Sequence, residues 1–169
     1  MQPAGVAGGA GREIEQKEID ASAMHASASQ SMVDDGSGEV TVYRITDTER
    51  LDVPKEKYGQ FFAGDSYLVH YQYESSGLAH IIYYYLGRES STLERGAAAA
   101  RCVELSDSLG NADVTQVRVV QGKEPPHFCA LFKGSMVVYS SGVGGEVADD
   151  GAAHLFHVKG TTPENTKAV

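Results

Sequence analysis

The run Ile81-Ile-Tyr-Tyr-Tyr-Leu86 is apolar or aromatic at every position, and no other feature constrains the fold of this chain as strongly. A strand with one face in water alternates apolar and polar residues, whereas an unbroken run buries both faces. Both sides of its sheet must therefore be covered. The sequence predicts two helices for that task. The first runs from near Ser91 to Leu109-Gly110, with a capping-box pattern, Ser91-Thr-Leu-Glu94, at its start and a glycine at its stop. The second is short, Pro125 to Phe132, stopped by Lys133-Gly134. Four more β-rich runs, Val40 to Ile45, Tyr67 to Tyr73, Val114 to Val120 and Met136 to Tyr139, bring the expected strands to five.

The 169 residues suffice for one ordinary core once linker sequence is set aside. Residues 1–38 are rich in Ala, Gly and Ser and hold few large apolar side chains, so they read as a disordered linker or tail. Within them Asp34-Asp35-Gly36 resembles the middle of an EF-hand loop. Placing Asp35 fifth puts Ser31 first and Val42 twelfth, so both required carboxylates are missing and that reading fails. At the other end, His154-Leu-Phe-His-Val158 reads as a further strand that opens another domain, broken off at Val169.

A formal net charge of −9 argues against nucleic acid, whose binding relies on Lys and Arg displacing counterions. Cys102 and Cys129 stand far apart in apolar surroundings without CxxC spacing, and read as reduced core residues of an intracellular protein. No stretch approaches the roughly 18 apolar residues of a membrane span, and no signal pattern opens the chain. A nucleophile with a recognisable base, a phosphate-cradling loop and a hydrolase elbow are all missing, so no enzyme is expected. Gly142-Val-Gly-Gly145 lacks the Lys-Ser/Thr of a nucleotide loop and reads as a turn. His154 and His157 could be drafted as metal ligands with His70 or His80, but a three-residue gap on a strand sets the first two on opposite faces. They are read as structural.

Several segments, in order and at fitting spacing over roughly residues 32–169, together resemble the villin and gelsolin family of calcium-regulated actin-filament proteins. They are Val42-Tyr-Arg-Ile45, Tyr58-Gly-Gln-Phe-Phe-Ala-Gly-Asp-Ser-Tyr67, His80-Ile-Ile-Tyr83 and Val117-Arg-Val-Val-Gln-Gly-Lys-Glu-Pro-Pro126. Met32 to Glu39 resembles the linker into the family's fourth repeat, and Leu155 to Val169 the opening of the fifth. The resemblance implies an α+β gelsolin-like repeat over residues 39–148, followed by the start of another repeat over 149–169. Its fold would be a mixed sheet of about five strands between one long helix along the strands and one short helix across them. A cytoplasmic, cytoskeletal setting is implied as well.

The resemblance also implies one calcium ion held by Asp65 and Glu94, with the carbonyls of Gly64 and Val143 and with water. Two carboxylates among six to eight oxygen ligands suit that ion. The competing reading of Glu94 is a capping role alone. Spacing on the long helix places Ala98, Cys102, Leu105 and Leu109 on a core stripe, and Gly96, Ala100, Val103 and Asp107 on a second stripe. In the family this helix enters the cleft between two lobes of actin, which makes the second stripe the expected actin face. Ala100 stands where the family has a larger residue, and Leu105-Ser106-Asp107 shifts by one residue the carboxylate of the family's second calcium. The alternative is a repeat that only packs on neighbouring repeats. Phosphoinositide binding is a family habit for which the chain offers no basic cluster.

Overall fold

The computed structural model describes residues 32–140, 144, 155–162 and 166–169. Most of the expected tail, His154 and Val143 lie outside them. Strands β1 (Glu39–Ile45), β2 (Arg50–Asp52), β3 (Gln60–Phe62), β4 (Ser66–Glu74) and β5 (Leu78–Leu86) precede the long helix α1 (Thr92–Ser108). Then come β6 (Asp113–Val120), the short helix α2 (Pro126–Ala130), β7 (Met136–Tyr139), β8 (Val158–Lys159) and β9 (Lys167–Ala168). Among the described residues no helix is long and apolar enough to cross a membrane.

The main sheet has five strands in the order β2-β1-β4-β5-β6. It is mixed: β4 runs antiparallel to β5 with Ser66 opposite Leu86, and β6 runs parallel to β5 with Leu86 opposite Val120. The parallel step requires a crossover, which α1 supplies. Met136–Tyr139, expected as a fifth strand of this sheet, belongs instead to a second sheet, β3-β7-β9-β8, where Phe61 pairs with Val138. The fifth place goes to β2. Thr46 closes the tight connection from β1, its hydroxyl accepting from the Glu49 amide at 2.9 Å and its amide donating to the Glu49 carbonyl at 3.0 Å. The strand expected over His154 to Val158 is confined, within the described residues, to Val158–Lys159.

Side chains of the central strands alternate between two cores, as the doubly apolar run demands. Ile45, Leu68, Ile82 and Leu86 meet Ala98, Cys102 and Leu105 of α1. On the opposite face Tyr67, Val69, Tyr71, Ile81, Tyr83 and Tyr85 meet Phe128, Cys129, Leu131 and Phe132 in and after α2, with Phe61 and Met136 of the second sheet. Both cysteines are free and buried, and burial pushes each thiol up to about 11. Such thiols are inert packing residues.

The helix boundaries follow local chemistry. Ser91 caps α1 by accepting from the Glu94 amide at 3.1 Å while Glu94 accepts from the Ser91 amide at 2.8 Å. Gly110, at φ +66°, ends the helix region in the left-handed conformation that glycine tolerates. Pro126 opens α2, and Lys133 and Gly134 turn the chain away at φ +50° and +78°.

The end of the segment read as a tail is tied into the fold. The Asp34 carboxylate accepts from the Gly36 amide at 2.8 Å, from the Tyr71 hydroxyl, and pairs with His127 Nε2 at 2.9 Å. On its other side His127 meets the Tyr83 hydroxyl at 2.6 Å. Burial alone would raise the Asp34 carboxyl, but the bonds from Tyr71, His127 and Gly36 together hold it below its ordinary range. A carboxylate whose folded pKa is depressed contributes stability above its unfolded value, near 4, and loses it as pH falls through the folded value. Asp34→Ala is therefore expected to lower the melting temperature at pH 7, and the gap from the parent should shrink once the pH falls below about 4. Parallel thermal melts across that range check it.

Candidate cation site and docking helix

The turn Ala63-Gly64-Asp65 joins β3 to β4, and the loop Gly87–Ser91 that leads into α1 is pressed against it. Gly87 donates to the Asp65 carbonyl at 3.0 Å and Glu89 to the Ala63 carbonyl at 2.8 Å. A Cβ on Gly87 would stand 2.4 Å from both carbonyl oxygens, so only glycine permits this approach. The turn that carries Asp65 is thus held against the loop that leads into α1.

Asp65 is 1% exposed, and a carboxylate so buried needs donors. Its Oδ2 accepts from the Tyr67 hydroxyl at 3.1 Å, its Oδ1 accepts from the Gly144 amide at 3.0 Å, and Arg44 Nη1 stands 3.8 Å away. The Tyr67 hydroxyl is held well above its ordinary range by burial and then by the Asp65 charge. Gly64 is half-buried. Val143, expected to lend a carbonyl, is outside the described residues, and of that loop only Gly144 is seen to bond Asp65. Glu94 is half-buried in the first turn of α1 and engaged in the capping box.

In kind, these donors fit a hard cation: two carboxylates and loop carbonyls. Arg44 competes for the same Asp65 oxygen. Among the described residues no three His, Cys, Asp or Glu side chains gather as a metal cluster. His70 and His80 sit 3.0 Å apart on β4 and β5 with stacked rings. Burial and then the nearness of His80 hold His70 below its ordinary range.

On α1 the two stripes separate as their spacing requires. Ala98, Cys102 and Leu105 are buried and Leu109 is half-buried, whereas Gly96, Ala100, Val103 and Asp107 are all exposed. Val103 is 48% exposed, and Leu93, three residues before Gly96, is 73% exposed. Leu93 extends the outer strip by a turn. Sequence reasoning started that strip at Gly96 and missed it, although the i−3 spacing was there to be followed. Arg101 flanks the strip, bonding Glu104 at 2.6 Å and the Thr48 carbonyl at 3.0 Å. Ser106, where the resemblance wants an aspartate, is half-buried, and Asp107 faces water.

Residues 47–129 match the family model of the gelsolin repeat. The chain is 42% identical over 164 residues to advillin of Mus musculus, an alignment covering 93% of this chain and 20% of advillin. It is 39% identical over 165 residues to gelsolin of Xenopus laevis, covering 93% of this chain and 39% of that protein. The chain thus spans between a fifth and two fifths of the length of these relatives. Among solved structures, the Thorarchaeota 2DGel3 complex with rabbit actin aligns with a TM-score of 0.48 at 31% identity, covering 61% of this chain and 47% of the other.

Proposed function

We infer that this chain, which carries a gelsolin repeat over residues 47–129, is an actin-binding module of the gelsolin and villin family. The observation that carries the reading is the outer strip of α1, Leu93, Gly96, Ala100 and Val103, exposed on a helix whose opposite stripe buries Ala98, Cys102 and Leu105. An apolar strip on a rigid helix offers a partner area at little ordering cost. The occupant we assign is the actin cleft. Within the family we propose a likeness to the fourth repeat of villin, with the repeat over residues 39–148 and the beginning of the next over 149–169. Severing, capping or bundling would belong to a longer parent protein in the cytoplasm and cytoskeleton.

Calcium is the proposed regulator. Gly64, Asp65, Glu94 and Val143 would hold it, and when bound its charge offsets two carboxylates. Asp65 anchors the β3–β4 turn, and Glu94 belongs to the first turn of α1. Ligands drawn from both would fix the helix start to the sheet, and with it the aim of the outer strip.

The test is affinity for monomeric actin, with cosedimentation on filaments, in calcium and in chelator. Binding strengthened by calcium supports the reading, and no binding in either condition overturns it. Thermal melts check the cation separately, since a ligand that binds only the folded state adds about 2.7 kcal/mol at a hundred times its Kd. Asp65→Asn should abolish the calcium-induced rise in melting temperature. Glu94→Gln should lose most of it while keeping the cap.

A second reading is a repeat that packs on neighbouring repeats without touching actin. The small side chain of Ala100, which thins the contact area, and Ser106, which leaves the carboxylate one residue late at Asp107, favour it. Loss of actin binding with retained binding to adjoining repeats would select it.

A further inference from the structure

Arg95 lies one turn before Ala98 on the same stripe of α1 that continues through Cys102 and Leu105, and it is half-buried. At that end of the helix the loop Gly87–Ser90 that leads into it offers carbonyl oxygens in place of apolar side chains. Arg95 Nη2 donates to the carbonyls of Gly87 at 2.9 Å and Arg88 at 2.7 Å, and Nε donates to the carbonyl and the hydroxyl of Ser90, both at 3.1 Å. The loop it grips is fixed in turn. Gly87 and Glu89 bond the Ala63–Asp65 turn, the Arg88 amide donates to Gln121 Oε1 at 2.7 Å, and Ser90 donates to the Gly87 carbonyl at 2.7 Å.

A planar guanidinium that spans three carbonyls sets direction as well as distance, because its donors form a rigid fork. Rotating α1, or sliding it by a turn, would break those bonds. The orientation of α1 about its axis decides whether Leu93, Gly96, Ala100 and Val103 point outward. We propose that Arg95 is a positioning residue: a fixed cation that locks the first turn of α1 to the loop Gly87–Ser90, and through that loop to the β3–β4 turn, so that the outer strip is presented without calcium as well as with it. This rests on the reading of that strip as the actin face. It divides the anchoring between a permanent tether, through Arg95, and a conditional one, through Asp65 and Glu94.

The experiment is hydrogen–deuterium exchange of the full chain, comparing peptides over residues 87–96 with peptides over the core stripe near Cys102, in chelator and in calcium. The parent should keep residues 87–96 protected in chelator to within about threefold of the calcium value. Arg95→Ala should exchange there at least about tenfold faster in chelator, the order expected when hydrogen bonds from a charged donor are lost. Protection near Cys102 should stay at the parent's level. Arg95→Lys keeps the charge but lacks the fork, so it should recover only part of the protection.

Equal exchange of parent and Arg95→Ala in chelator overturns the tether, and so does a parent that is protected only in calcium. A loss in Arg95→Ala that calcium fails to repair upholds the tether and counts against the calcium site instead. If the exchange pattern holds while no variant binds monomeric actin, the tether stands and the actin reading falls.

Discussion

Phe61→Ala is expected to destabilise the fold by about 3–5 kcal/mol, a large share of the roughly 5–15 kcal/mol that holds an ordinary domain together. Phe61 is fully buried on β3, yet its ring serves the other sheet. It packs edge-on to Tyr67 at 5.1 Å and tilted against Tyr85 at 4.7 Å, with Phe128 at 5.5 Å and Phe132 at 5.3 Å on the side of α2. Truncation would open a cavity where the second sheet, α2 and the two central strands meet. The surrounding rings could not collapse into it without abandoning their own contacts. Urea denaturation should show a lower midpoint with an unchanged slope. Phe61→Leu, which refills most of the volume, should recover more than half of the loss.

That junction was only partly visible in the sequence. The central strands declared themselves because Ile81 to Leu86 is apolar throughout, a signal that depends on burial of both faces. The limits of α1 were equally plain in Ser91-Thr-Leu-Glu94 and Leu109-Gly110, since capping is local chemistry. Strands β2 and β3 have three residues each, too few for a period to register. Met136–Tyr139 was recognisable as a strand but not by its partner, because parallel pairing with Gln60–Phe62 joins segments far apart in the chain.

The same division runs through the site. Asp65 stood out only through the resemblance carried by Gly64-Asp-Ser-Tyr67, and nothing local announced that Tyr67, Gly144 and Arg44 would converge on its carboxylate. In the sequence Asp34 reads only as part of an incomplete EF-hand loop. Its partners, Tyr71 and His127, lie 37 and 93 residues away. The acceptors of Arg95 are main-chain carbonyls, which no side-chain pattern reveals.

Val103→Asp is expected to weaken binding of monomeric actin by about thirtyfold or more, equivalent to about 2 kcal/mol, while the chain keeps its fold. Val103 is 48% exposed and lies away from the packed stripe of Ala98, Cys102 and Leu105. A carboxylate there remains hydrated in the free chain and costs little stability, whereas in an apolar contact it would have to shed water without a partner. Glu104, the next residue and exposed, already bonds Arg101, so that arginine is not idle to neutralise the new charge. The complementary change is Ala100→Ile. It adds apolar area at the thinnest part of the strip, and at about 25 cal/mol per Å² a partly buried isoleucine should gain about 1 kcal/mol, roughly fivefold in affinity. Leu93→Ala, at the exposed end of the strip, should fall between, with a loss of several-fold. Titrating each variant against monomeric actin in calcium, with melting curves as the control for folding, reads all three. Tighter binding by Ala100→Ile and weaker binding by Val103→Asp would place actin on this strip. If the parent binds and all three variants bind as it does, the contact lies elsewhere on the repeat.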